Sequence, residues 1–230
     1  MKTIGLIGGM SWESSIEYYR IINQAVREKL GGVHSAKCVM VSVDFAEIEL
    51  LQHQGKWEET GEILIESAKS LEKSGVDFIV LCTNTMHKVA EEIQAHVGIP
   101  LLHIADATAQ QVIDSGVHKV ALLGTRFTME EDFYKGRLVH KYNLDVLVPE
   151  PDEREIVHNV IYNELVVGKI QPLSREQYLK IIMRMVDEGA EGIILGCTEI
   201  GLLVKQSDCP VPVFDTTRIH AEAAVAFALA

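Results

Sequence analysis

Short runs of aliphatic and β-branched residues alternate along the chain with longer stretches whose apolar positions recur every three or four residues. The first run, 3–7, ends at Gly8-Gly9. A helix is predicted from about Ser14, where Ser14-x-x-Glu17 reads as a capping box and Ile16, Tyr19, Ile22, Val26 and Leu30 form one apolar stripe; Gly31-Gly32 closes it. Strands are predicted over 39–43, ending at Asp44, and over 78–81, after a helix over 63–73 that Gly75 stops. Helical spacing resumes at Thr85, and Pro100 introduces a strand over 101–104. Buried strands alternating with helices predict parallel sheets covered on both faces.

The second half repeats this plan. Strands are predicted over 119–123, 146–148, 192–195 and 213–214, and helices open at Thr128-x-x-Glu131 and Asp152-x-x-Glu155 and span 178–187, before an Ala-rich C-terminal helix. The segment 75–85 aligns without gaps on 189–199, an offset of 114, while Gly124 follows Gly8 by 116 and Pro212 follows Pro100 by 112. Four elements in the same order at a nearly constant offset imply an internal duplication. The expected fold class is therefore α/β, two pseudo-symmetric doubly covered, mainly parallel-sheet domains.

With 33 acidic against 21 basic residues the net charge is −12, which denies a nucleic acid or an anionic membrane the basic footprint it needs. No apolar stretch approaches the ~18 residues of a membrane span, and the first residues lack the basic n-region of a secretory leader. A cytosolic protein with reduced thiols is expected. Its four cysteines, Cys38, Cys82, Cys197 and Cys209, form no CxxC pair, and no Cys/His cluster has metal-ligand spacing, so no metal is expected.

Under the repeat, Thr83 is the partner of Cys197 and Cys82 that of Gly196. A shift of one would pair Cys82-Thr83 with Cys197-Thr198, but it breaks the match of Gly75 with Gly189 and turns the strand face over. Both positions lie at the C-terminal end of a parallel strand, where open α/β sheets bind ligands. Thr83, Asn84, Thr85, Thr198 and Glu199 are placed to cap the helices that follow, and the backbone N–H groups there suit a carboxylate. A helix N-terminus also lowers a thiol pKa, which makes Cys197 the best candidate for a base or nucleophile. Asp106 and Asp215, each following a late strand, read as N-caps. Proton-handling groups on two duplicated halves suit inversion of a carbon stereocentre, which needs one group to remove a proton and another to return it on the opposite face.

Residues 4–10 (IGLIGGM), 83–87 (TNTMH) and 196–199 (GCTE) resemble motifs of the pyridoxal-phosphate-independent aspartate/glutamate racemases, in the same order and over the whole chain. The resemblance implies a cofactor-free amino-acid racemase, two similar α/β domains with an active site between them, paired cysteine bases, a small amino-acid substrate and a homodimer. It also implies that the last strand of each half crosses to the other domain, giving one domain of 1–98 plus 209–230 and a second of 99–208. Carried over by position, Cys197 is the base of the second half, and Thr83 stands where the family has its other catalytic cysteine. Met10, Asn84, Thr85, Thr198 and Glu199 match substrate-binding positions, and Gln52 belongs with them. An arginine and a lysine that some members use fall at Glu49 and Val166, which puts specificity for a dicarboxylic amino acid in question.

Three other readings compete. A dinucleotide fold is disfavoured because Gly5-x-x-Gly8-Gly9 lacks the GxGxxG spacing. A one-cysteine decarboxylase or isomerase on the same scaffold needs only Cys197. A non-catalytic amino-acid-binding module would follow from loss of one base.

Overall fold

Eight strands form two sheets in the computed structural model, which describes residues 1–230. The first contains β1 (Ile4–Gly8), β2 (Cys38–Ser42), β3 (Phe78–Leu81) and β4 (Leu101–Leu102), in the order β2-β1-β3-β4. The second contains β5 (Lys119–Gly124), β6 (Asp145–Leu147), β7 (Gly192–Gly196) and β8 (Val213–Asp215), in the order β6-β5-β7-β8. Every pairing is parallel. The two sheets have one topology, as the duplication predicts.

The helices α1 (Trp12–Leu30), α2 (Phe45–His53), α3 (Trp57–Lys73) and α4 (Ala90–Ala95) fall within the first half. α5 (Ile104–Asp114) ends the first half, and the second half carries α6 (Arg126–Glu130), α7 (Lys135–Tyr142), α8 (Pro151–Asn163), α9 (Pro172–Asp187), α10 (Ile200–Leu203) and α11 (Thr216–Leu229). The chain divides into two units, 1–103 with 220–230, and 104–219. These boundaries differ from those implied by the family resemblance. β4 pairs with β3 and β8 with β7, so each late strand stays in its own half. The helices that follow are exchanged instead: α5 packs Ile104, Ala105, Ala109 and Val112 on the second sheet, and α11 packs Ala221, Ala224, Val225 and Ala228 on the first.

Strands buried on both faces explain the continuous apolar runs. In the first unit Ile4 and Leu6 face Tyr18, Ile22 and Val26 of α1, while Ile7 faces Leu64, Ala68 and Leu71 of α3. In the second, Val120 and Leu122 face α5 and α7, and Ala121 and Leu123 face α8 and α9. Strand register also fixes the repeat. Ile7 pairs with Leu81, and Leu123 with Leu195. Two residues beyond each partner lie Thr83 and Cys197, so the unshifted alignment holds and Cys82 corresponds to Gly196.

Local differences from the pattern have simple causes. α1 begins at Trp12, not Ser14: Ser11 is the cap, its side chain accepting from Ser14 N at 3.3 Å, and Ser14 is the third helical residue. Thr125 likewise caps α6, and Glu150 with Glu153 forms the capping box of α8. The inner face of α1 is Tyr18, Ile21, Ile22, Ala25 and Val26; Ile16, Tyr19 and Leu30 of the predicted stripe are exposed. Asp106 lies inside α5 and is held bidentate by Arg137 at 2.6 and 2.9 Å, whereas Asp215 does cap α11, accepting from Thr217 N at 3.0 Å. No helix is long and apolar enough to cross a membrane.

Candidate active site

In the first unit the candidate residues gather at the C-terminal ends of β1, β2 and β3. The chain leaves β1 through Gly9 at φ +94°, where a Cβ would stand 2.2 Å from Val43 O, so only glycine makes this turn. Ser15 Oγ pins the turn, accepting from Gly9 N at 2.8 Å and donating to Ser11 O at 2.9 Å. Met10 is thereby buried among Ile7, Ile48 and Met86. Gln52, on α2, is buried with Nε2 2.9 Å from Met86 Sδ.

β3 delivers Cys82, Thr83 and Asn84 into a short 3-10 turn over Thr85–Val89. Thr83, Asn84 and Thr85 are buried. Cys82 belongs to the core beside Ile4, Leu6 and Tyr18, and burial pushes its thiol far above the ordinary range. His87 Nδ1 lies 2.7 Å from Thr83 O. A carbonyl only accepts, so Nδ1 carries the proton and ties the Thr83 backbone to the turn. The His87 ring lies 4.6 Å from that of His103 and 5.7 Å from that of His220. His220 Nε2 donates to Leu102 O at 2.8 Å, which leaves Nδ1 to accept from Tyr18 Oη at 2.9 Å. Burial lowers the His220 pKa to about 4.

In the second unit Gly196 ends β7 against β5; a Cβ there would stand 2.8 Å from Leu122 Cδ1 and 3.0 Å from Leu123 O. Cys197 follows, buried against the core that includes Tyr178 and Ile200. Its thiol donates to Glu199 Oε2 at 3.1 Å, and Thr198 Oγ1 donates to the same oxygen at 2.7 Å. Glu199 is itself buried. The expected depression of the Cys197 pKa is not found. Burial first, then the charge and hydrogen bond of Glu199, push the thiol well above its ordinary value, and the backbone N–H groups of Glu199 and Ile200 do not offset them. The helix that follows, α10, has four residues and the turn after Thr83 five, too short for a developed macrodipole.

Met10, Gln52, Thr83, Asn84 and Thr85 are thus brought to one edge of the first sheet, and Cys197, Thr198 and Glu199 to the equivalent edge of the second. All four cysteines are free. No group of three His, Cys, Asp or Glu side chains is placed to hold a metal. The Cys197–Glu199 hydrogen bond and the tie from His87 to Thr83 are not written in the motifs themselves. The i, i+2 and i, i+4 spacings were visible, but the turns that close them were not.

Each α/β unit thus carries a side chain able to handle a proton at the C-terminal end of the equivalent strand, a hydroxyl in the first and a thiol in the second. Comparison with known proteins narrows this: the Asp/Glu/hydantoin racemase family profile matches residues 7–224, so the chain belongs to that family and is an enzyme of the amino-acid racemase class. The broad specificity amino-acid racemase RacX of Bacillus subtilis is 30% identical over 176 residues, covering 75% of this chain and 74% of RacX. A crystal structure from Yersinia pestis, named provisionally as an Asp/Glu racemase, is 55% identical over the full length of both chains with a TM-score of 0.93. An aspartate racemase homologue from Pyrococcus horikoshii OT3 is 38% identical over both full lengths with a TM-score of 0.86.

Proposed function

We propose that the chain inverts Cα of aspartate, glutamate or a wider set of amino acids by two-base proton transfer without a cofactor. Cys197 is the thiol base and Thr83 the group that serves the opposite face of Cα. The observation that carries this reading is the strand register, which makes Thr83 and Cys197 equivalent positions of a duplicated unit. Met10, Gln52, Asn84, Thr85, Thr198 and Glu199 bind the substrate in this scheme. The enzyme works as a cytoplasmic homodimer.

The chemistry is asymmetric. Cys197 rests as a thiol bonded to Glu199; passing its proton to the carboxylate yields the thiolate that takes the Cα proton. In the reverse sense the thiol gives its proton to the Cα carbanion. Thr83 is a far weaker acid than a thiol, so it returns or removes a proton only as another group replaces or accepts its own. None of the first-unit candidates, Met10, Gln52, Thr83, Asn84 and Thr85, is cationic, which supports a substrate range wider than dicarboxylic amino acids. The breadth in the name of RacX agrees with this.

Chiral chromatography of L- and D-amino acids incubated without pyridoxal phosphate tests the reading. Racemisation of aspartate, glutamate or other members of the panel is expected. A second reading, one-cysteine chemistry on the same scaffold, is favoured by the threonine at position 83. Release of CO2 without racemisation would decide for it.

A further inference from the structure

The helix α1 is apolar on two faces. Tyr18, Ile21, Ile22, Ala25 and Val26 fill the core, yet Trp12, Ile16 and Tyr19 stand 60%, 52% and 53% exposed, with Leu30 further along the same outer stripe. Positions 12, 16, 19, 23 and 30 follow the four-three spacing of a seam between helices. Asn23, the polar position in it, is turned back on its own chain, donating to Tyr19 O at 2.8 Å and accepting from Ala36 N at 3.0 Å. Beside this stripe a groove of about 420 Å³ runs to the edge strand β2, where Cys38 and Met40 continue the apolar surface. β2 pairs only with β1, and its sequence, CVMVS, carries none of the prolines or charges that usually guard an open edge.

We propose that this face, the outer stripe of α1 with the edge of β2, is where two copies of the chain pair, their α1 helices antiparallel. The inference deepens the homodimer named above and rests on it. Two observations select a second copy as the occupant. The charges along α1 are weakly polarised. Glu13 and Glu17 stand in its first half with Arg20, which is paired to Glu17, and Arg27 and Lys29 stand in its last turn with Glu28. This leaves one net negative charge at the start and one net positive charge at the end. Antiparallel pairing of identical helices sets the acidic start of each beside the basic end of the other. The face is therefore self-complementary, although the chain as a whole carries −12 and repels its own copy elsewhere. The second observation is size. Trp12, Ile16, Tyr19, Leu30, Val33 and Met40 together expose on the order of 600 Å², at the upper end of patches on monomers and near the ~800 Å² each partner contributes to a standard interface.

Light scattering coupled to gel filtration, over a dilution series, tests this. The wild-type chain is expected at twice its 25.6 kDa. Ile16→Glu with Tyr19→Glu is expected at the monomer mass with an unchanged helical circular-dichroism spectrum. Arg27→Glu, an exposed change that leaves the core alone, is expected to raise the dimer dissociation constant at least tenfold. Leu173→Glu, exposed in the other unit, leaves the dimer intact. A dimeric wild type whose mass and dissociation constant are unmoved by Ile16→Glu/Tyr19→Glu and by Arg27→Glu overturns this surface but not the homodimer. A monomeric wild type overturns both, and its sedimentation with liposomes would assign the face to a membrane instead.

Discussion

The thiol of Cys197 donates across 3.1 Å to Glu199, a carboxylate two residues further along the same strand end. Thr198 Oγ1 donates to the same oxygen, so Glu199 Oε2 collects two hydrogen bonds from its immediate neighbours. The thiol is kept protonated by burial and by this negative charge, and the same carboxylate is the nearest acceptor for its proton. Glu199→Gln separates the two effects. Removing the charge lowers the pH at which Cys197 ionises, while removing the acceptor lowers turnover by about 10²-fold, a usual share for a positioned acid–base group. The pH profile of alkylation by a small reagent, followed beside racemisation, reads both. An unmoved alkylation profile would sink the role given to Glu199.

In the proposed scheme a hydroxyl serves one face of Cα and a thiol the other, which makes the two directions of proton transfer unequal. Deuterium wash-in from solvent at Cα should therefore proceed much faster for one enantiomer than for the other. Thr83→Cys is expected to speed the slow enantiomer, and Cys197→Ala to abolish exchange for both, a loss of more than about 10³-fold. Equal wash-in for L- and D-aspartate in the wild-type enzyme contradicts the asymmetry.

The equivalence of Thr83 and Cys197 was legible in the sequence because Gly8, Gly75 and Pro100 have counterparts at Gly124, Gly189 and Pro212, and these fix the register of a repeat. The sheets were legible too, since strands buried on both faces read as unbroken apolar runs. Other features depend on contacts that one-dimensional spacing does not encode. The stripe read on α1 mixed Ile22 and Val26 of the core with Ile16, Tyr19 and Leu30 of the outer face, because helical period alone does not distinguish a face that packs inward from one left open. α2 shows little periodicity because only Ile48 and Gln52 of its nine residues are buried. The exchange of α5 and α11 is set by which sheet their apolar faces meet, a choice the sequence of either helix does not express. Nor does the motif at 196–199 reveal that the carboxylate of Glu199 turns back on Cys197.

Cys82 supplies a test of alkaline stability. Its thiol is fully buried in the core of the first unit and holds its proton far above the ordinary range, while in the unfolded chain it ionises near ~8.5. Above that pH the unfolded state binds fewer protons than the folded one. The contribution of such a thiol is thus constant below ~8.5 and falls as pH rises above it, by up to about 1.4 kcal/mol per pH unit. Cys82→Ala should flatten this decline at a cost of about 1–2 kcal/mol at neutral pH from the lost packing. Urea unfolding of both proteins between neutral and alkaline pH measures the difference. Parallel slopes would show that Cys82 does not titrate in the unfolding step.

His220 supplies the corresponding test on the acid side. It sits fully buried between Tyr18 Oη and Leu102 O, near the His87 ring, and burial holds its pKa at about 4 against an ordinary value of 6.5. The folded state therefore keeps His220 neutral where the unfolded chain binds a proton. The stability it contributes is present in full above ~6.5 and is lost as pH falls through about 4, in total about 3 kcal/mol. His220→Phe keeps an aromatic ring but removes both hydrogen bonds and the titration. At neutral pH the variant should be less stable by about 1–3 kcal/mol. As the pH is lowered from neutrality towards 4 the wild-type protein should lose stability more steeply, so the two unfolding midpoints converge. A constant gap between them across that range would mean that another buried group carries the acid sensitivity.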